Sequence, residues 1–162
     1  MPIGIRCAIS YTKGEEDDRR RYQHPDLCAR EDSPFHQQAV RCVSRLAEGR
    51  SAWAIPWPCL HEFLAIVTRQ GIYRPPTPLS VALDLVDSLI ESPTLVLIAE
   101  SDHHWSELRE VLTTSKVTGG RVHDARIAAL CRQHGVRELW SADRDFGRFP
   151  GFDVVNPLVS KE

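Results

Sequence analysis

From Ser33 onward the chain alternates two patterns: short apolar runs bounded by Pro or Gly, and longer stretches whose apolar residues recur at three- and four-residue spacing. Ser33-Pro34 reads as a helix start, Phe35, Ala39, Val43 and Leu46 share a face, and Gly49 ends the run. Trp53 to Pro56 fits a short buried strand, and Pro58 opens a helix that is predicted to reach Gln70. Tyr73 to Pro78 is loop; Ala82, Leu85, Val86 and Leu89 then mark a third helix, and Thr94 to Ile98 a second strand. Asp102 is the expected cap of a fourth helix, with Trp105, Leu108 and Leu112 inward. After Gly119-Gly120 a helix from His123 to His134 stops at Gly135, and Glu138 to Ser141 and Phe152 to Val155 supply further strands. Strands separated by helices demand crossover connections. The expected product is a three-layer α/β/α domain around a mostly parallel sheet.

At 162 residues the chain suits one domain and needs no disulfide scaffold. Its five cysteines are scattered, with no zinc-finger spacing, so reduced thiols are expected. No apolar run approaches the roughly 18 residues of a membrane helix, and the acidic start, Glu15 to Asp18, does not resemble a secretory leader. A cytosolic protein without membrane contact is expected. Net charge is −2, from 20 basic and 22 acidic residues, so any contact with nucleic acid must be local.

Three carboxylates stand where solubility alone would not place them. Glu62 lies inside a helix with Ala65 and Ile66 at i+3 and i+4, and Asp124 is in a first helical turn on the face of Ile127, Ala128 and Cys131. Asp143 follows a strand, at the carboxyl edge where open parallel sheets form ligand crevices. Clustered carboxylates stay ionised only if a cation neutralises them, and all-oxygen ligands favour Mg²⁺ or Mn²⁺. Such a site can support in-line attack of water on a phosphodiester. Singly, each acid has an ordinary explanation as a boundary, dipole or turn residue; Asp143 and Asp145 could equally belong to a solvated turn. Spacing leaves both readings open. Arg74, with Arg69 and Tyr73 nearby, is a candidate phosphate contact or a solubilising charge. Trp53, Trp57, Trp105 and Trp140 are read as packing residues rather than base-stacking platforms, and Cys59 and Cys131 as small core residues.

The segments Pro58 to Phe63, Val122 to Leu130, Ser141 to Phe146 and Arg148 to Gly151 together resemble PIN-domain ribonucleases, and within them the VapC toxins of type II toxin–antitoxin systems. The likeness runs from Glu31 to Leu158 with the motifs in order. It implies a Mg²⁺-dependent endoribonuclease that cleaves cellular RNA, inhibited by a VapB-type antitoxin, and often a homodimer. Glu62, Asp124 and Asp143 would be metal-binding acids and Asp145 a supporting neighbour. Arg74 and Arg69 remain the candidate RNA contacts.

One departure stands out. Proteins of this kind begin with an apolar strand ending in Asp-Thr-Asn, whereas residues 1–29 show neither that strand nor its aspartate, and Asp26 follows a proline. The expected domain is therefore 30–162, with 1–29 an atypical N-terminus and the first strand missing or disrupted. The genetic code offers a reason. With suitable synonymous codons, Asp17 to Cys28 read one base later becomes Met-Thr-Ala-Val-Asp-Thr-Asn-Ile-Leu-Ile-Tyr, and a single-base change of frame near Ala29 rejoins Arg30 to His36. On this reading residues 1–29 are an out-of-frame translation. The polypeptide as written would then lack one metal ligand, and the alternative function is a catalytically inactive remnant that only binds an antitoxin or a toxin subunit.

Overall fold

A computed structural model describes residues 5–8, 36–72 and 74–157. In chain order the elements are β1 (Ile5–Ala8), α1 (His36–Ala47), β2 (Trp53–Pro56), α2 (Trp57–Val67), α3 (Leu79–Ile90), β3 (Leu95–Ile98), α4 (His104–Ser115), α5 (Val122–Gln133), β4 (Val136–Trp140) and β5 (Asp153–Val155). Short 3₁₀ turns at Gly119–Arg121 and Arg144–Arg148 precede α5 and follow β4. All pairings in the five-stranded sheet are parallel, in the order β3-β2-β1-β4-β5. The α/β architecture expected from the sequence is present.

The first strand corrects the sequence reading. Ile5–Ala8 is a strand, and it occupies the centre of the sheet, with Cys7 opposite Ala54 of β2 and Leu139 of β4. Without it, β2 and β4 would each present an unpaired edge in the middle of the sheet, so a short extended segment is drawn into that slot. Four residues interrupted by an arginine gave too weak a pattern to stand out in sequence. What the strand lacks is an acid: Ala8 is followed by Ile9 and Ser10.

The core explains the remaining element choices. β2 is buried along its whole length, as expected for a strand covered on both faces. α5 is the most deeply packed helix, with Ala125 and Ile127 through Cys131 inaccessible to solvent, and it lies against α4 and β4. Gly135 then closes the helix at φ +67°, a conformation natural to glycine. Arg45 of α1 stacks over the ring of buried Trp140, 5.6 Å from its centroid. Cys42, Cys59 and Cys131 are buried free thiols.

Several local expectations shift. The expected start of α1 at Ser33-Pro34 lies outside the described residues. α2 ends at Val67 rather than Gln70: the Thr68 hydroxyl turns back onto the Leu64 carbonyl at 2.6 Å and the Thr77 amide takes the Val67 carbonyl at 2.8 Å. Asp102 does not cap α4: the N-cap is His103, no side chain caps the helix, and Ser101 shapes the preceding turn, its hydroxyl accepting the His103 amide and its carbonyl the His104 amide. On α4 Val111 is buried, Leu108 and Leu112 are half-buried, and Trp105, expected inward, is 67% exposed. Trp53 and Trp140 are core residues as expected, whereas Trp57, 38% exposed, is not. No helix among the described residues is long and apolar enough to cross a membrane.

Candidate active site

The carboxyl edge of the sheet gathers the acids from two directions. Asp124 enters from the first turn of α5, whose buried face fixes the helix and leaves the Asp124 side chain half-buried at its N-terminal end. Asp143 and Asp145 enter from the turn that follows β4. In Asp143-Arg144-Asp145-Phe146-Gly147-Arg148-Phe149 both phenylalanines are buried, with ring centroids 5.9 Å apart. They pin the turn to the core, and the polar residues between them are left at the surface.

Within that turn hydrogen bonds and ion pairs hold both acids. The Ser141 amide donates to the Val155 carbonyl at 2.9 Å, and the Ser141 hydroxyl accepts the Asp143 amide at 3.0 Å. Asp143 Oδ1 accepts the Asp145 amide at 2.8 Å and caps the Arg144–Arg148 turn. The Asp145 carboxylate bridges two arginines: Oδ1 lies 2.9 Å from Arg148 Nη2, and Oδ2 lies 3.5 Å from Arg121 Nη2. Arg148 Nε also donates to the Asp145 carbonyl at 3.1 Å.

The electrostatic result is concentrated on Asp124. Burial, then the charges of Asp143 and Asp145, push its carboxyl from an ordinary 3.8 up to about 6, against the opposing pull of Arg121 and Arg148. The mutual repulsion places Asp124, Asp143 and Asp145 in one neighbourhood; Glu62, expected to converge with Asp124 and Asp143, is not among the groups that act on Asp124. Glu62 is half-buried on α2, one turn beyond Cys59. The Cys59 thiol is pushed well up by burial, with Glu62 and Cys131 of α5 adding to the shift and Arg126 opposing it, so this part of α2 faces α5. Arg69 and Arg74 are exposed, beyond the end of α2. Sequence reading did not single out Arg121 and Arg148; their spacing to the acids, Arg121 three residues before Asp124 and Arg148 three after Asp145, was the available sign.

The donor set can be tested against a cation. Among the described residues no three His, Cys, Asp or Glu side chains are close enough to form a cage. The Asp124–Asp143 pair instead offers hard oxygen ligands under mutual repulsion, which fits a hydrated divalent ion held through one or two carboxylates. Position reinforces this reading, since the pair lies at the carboxyl ends of parallel strands and beside a helix N-terminus.

Comparison with known proteins gives concordant results. Residues 27–151 match the family model of the PIN domain. The chain is similar to Ribonuclease VapC48 of Mycobacterium tuberculosis, with 32% identity over 126 residues that cover 78% of this chain and 87% of that protein. It is similar also to Ribonuclease VapC37 of Mycobacterium tuberculosis, with 29% identity over 74% of this chain and 82% of that one. In fold it resembles the crystal structure of VapBC2 from Rickettsia felis bound to a promoter DNA fragment, with a TM-score of 0.58, 14% identity, and coverage of 92% of this chain and 97% of that one. A second fold likeness is to Mycobacterium tuberculosis VapC20, a toxin that cleaves the sarcin-ricin loop, with a TM-score of 0.55, 16% identity, and coverage of 79% and 92%. A parallel sheet with acids at its carboxyl edge, a family model spanning most of the chain and relatives among the VapC ribonucleases lead to one conclusion: the chain belongs to the PIN domain family.

Proposed function

We propose that the protein is a metal-dependent endoribonuclease of the VapC type, the toxin of a toxin–antitoxin pair, acting on phosphodiester bonds of RNA. The observation that carries this reading is the Asp124–Asp143 pair at the carboxyl edge, with Asp124 pushed up to about 6 in a PIN-domain frame. Support for substrate and partner comes from relatives named as ribonucleases and a structural neighbour that is a VapBC complex. Mg²⁺, or Mn²⁺ in its place, suits the all-oxygen donors. Asp124 and Asp143 would hold it, with Glu62 completing the acidic set and Asp145 in support. When bound, such a cation supplies Lewis-acid polarisation of the phosphodiester.

The chain's own residues do the rest. The Asp145 amide and Ser141 hydroxyl hold Asp143 in place, so its carboxylate needs little reorganisation on binding. Arg121 and Arg148 moderate the repulsion that Asp124 feels. Arg69 and Arg74 remain proposed RNA contacts. A VapB-type antitoxin and a homodimer are the proposed protein partners. The decisive assay is cleavage of single-stranded RNA with and without Mg²⁺, by the wild type and by Asp124→Asn and Glu62→Gln. Mg²⁺-dependent cutting lost in Asp124→Asn is expected; unchanged cutting in that variant refutes the site.

A second reading is favoured by a specific observation. The central strand Ile5–Ala8 brings no acid to the carboxyl edge, and no three-ligand group occurs among the described residues. On this second reading the chain as written is an inactive PIN-fold remnant that only binds an antitoxin or toxin subunit. We link this to the N-terminus: residues 1–29 are proposed to be an out-of-frame translation, and 30–162 the PIN domain proper. The family-model match beginning at residue 27 supports that boundary. In the shifted frame an Ala-Val-Asp-Thr-Asn strand would take the central slot and deliver the missing acid. Resequencing the codons for Asp17 to Glu31 tests this directly, since stops or charged codons in the shifted frame rule it out.

A further inference from the structure

We infer that Asp145 is a positioning residue whose carboxylate holds Arg121 and Arg148 together as a phosphate clamp for the RNA strand, beside the Asp124–Asp143 pair. The inference rests on the ribonuclease reading above and assigns that site its substrate contacts. A chain of net charge −2 has no general attraction for a polyanion, and an acidic pocket repels one. A nuclease built this way needs local positive charge at the edge of its acids. Arg121 and Arg148 are the cations that act on Asp124, and they reach the site from different elements, the turns before α5 and after β4.

Their arrangement is poorly explained by folding alone. The side chains of Arg121 and Asp145 are 52% and 46% exposed, and ion pairs so placed add little to stability. A single carboxylate bridging two guanidiniums does, however, restrict both. Asp145 takes Nη2 of each arginine and, through its carbonyl, Nε of Arg148. A guanidinium carries five N–H donors in a rigid fork, so both retain donors suited to phosphate oxygens. The same residue donates its amide to Asp143 Oδ1, so one short turn sets the positions of clamp and acid together. A phosphate held by the clamp is thereby registered against the Asp124–Asp143 pair, which is the requirement for placing a scissile bond.

The test is RNA binding by the full chain without cleavage. A labelled single-stranded RNA oligonucleotide in EDTA is titrated over a series of KCl concentrations with the wild type, Arg121→Gln, Arg148→Gln and the double variant. Arg137→Gln, an exposed arginine on β4, serves as control. The double variant is expected to flatten the slope of log affinity against log salt by about 0.7, the value for one single-strand phosphate neutralised, and each single clamp variant by part of that. Arg137→Gln is expected to leave it unchanged. In an Asp145→Asn background the effect of Arg121→Gln should shrink, because a released arginine no longer has a fixed phosphate partner. A purely structural Asp145 would leave that coupling at zero. Absence of RNA binding by the wild type, clamp variants that match Arg137→Gln, or full additivity with Asp145→Asn would each overturn the inference. The same proteins assayed with Mg²⁺ separate the two readings. Flattened slopes without any cleavage refute the ribonuclease and retain the clamp, whereas cleavage with KM unchanged in both arginine variants refutes the clamp alone.

Discussion

Replacing Asp124 by Asn should make the protein more stable at neutral pH while removing its cleavage activity. The carboxyl is raised from 3.8 to about 6, so the native state holds a proton over that interval which the unfolded chain has released. Stability is therefore fully present below about pH 4 and declines as pH rises through about 6. At about 1.4 kcal/mol per pKa unit the ceiling on the loss is about 3 kcal/mol. Asp124 is only half-buried and Asp145 is 46% exposed, so solvent screening reduces this to about 1 to 2 kcal/mol. The assay is urea unfolding of wild type and Asp124→Asn at about pH 4 and about pH 7.5, without divalent cations. The variant should be more stable by about 1 to 2 kcal/mol at the higher pH and equal to the wild type at the lower one. A difference that is the same at both pH values, or a variant less stable at pH 7.5, would refute the electrostatic account of the site. Added Mg²⁺ should shrink the difference, because a cation neutralises the charge that the substitution deletes.

Other expectations follow from the same geometry. Millimolar Mg²⁺ should raise the melting temperature of the wild type by mass action, and Asp143→Asn or Asp124→Asn should remove that dependence. Leu139→Ala, at a fully buried position of β4, should cost about 2 to 5 kcal/mol, while Trp105→Ala on the exposed side of α4 should fall within about 0.5 kcal/mol of wild type by denaturant unfolding. If restoring the reading frame across residues 1–29 supplies a strand-end aspartate, RNA cleavage should rise by more than the roughly 10- to 100-fold that even an outer-sphere partner of a metal site contributes. Equal rates from the two forms would show that the site works without that acid.

The helices, the parallel strands after Ser33 and the three acids were legible because each leaves a local pattern. Apolar periodicity, proline and glycine punctuation and a carboxylate just after a strand are all properties of a few neighbouring residues. The strand Ile5–Ala8 was missed for the converse reason: its extended conformation is set by the vacant slot between β2 and β4 and not by its own four residues. The start of α4 was misjudged as well: Asp102 is a competent cap residue, yet the helix begins after His103 without a side-chain cap, and Trp105 is exposed. Arg121 and Arg148 were invisible as site residues, since 27 positions separate them and an arginine after a turn is common.

The sequence by itself determined an α/β domain with acids at its carboxyl edge, and it exposed the missing Asp-Thr-Asn. The first depends on spacing along the chain, and the second shows only against the pattern of the PIN family that the motifs resemble. Only the tertiary structure decided that α5 and the turn after β4 meet, that burial and then the neighbouring acids raise Asp124, and that one carboxylate bridges two arginines. Such effects arise from charges separated by a few ångströms in space, a distance that the backbone must fold to create.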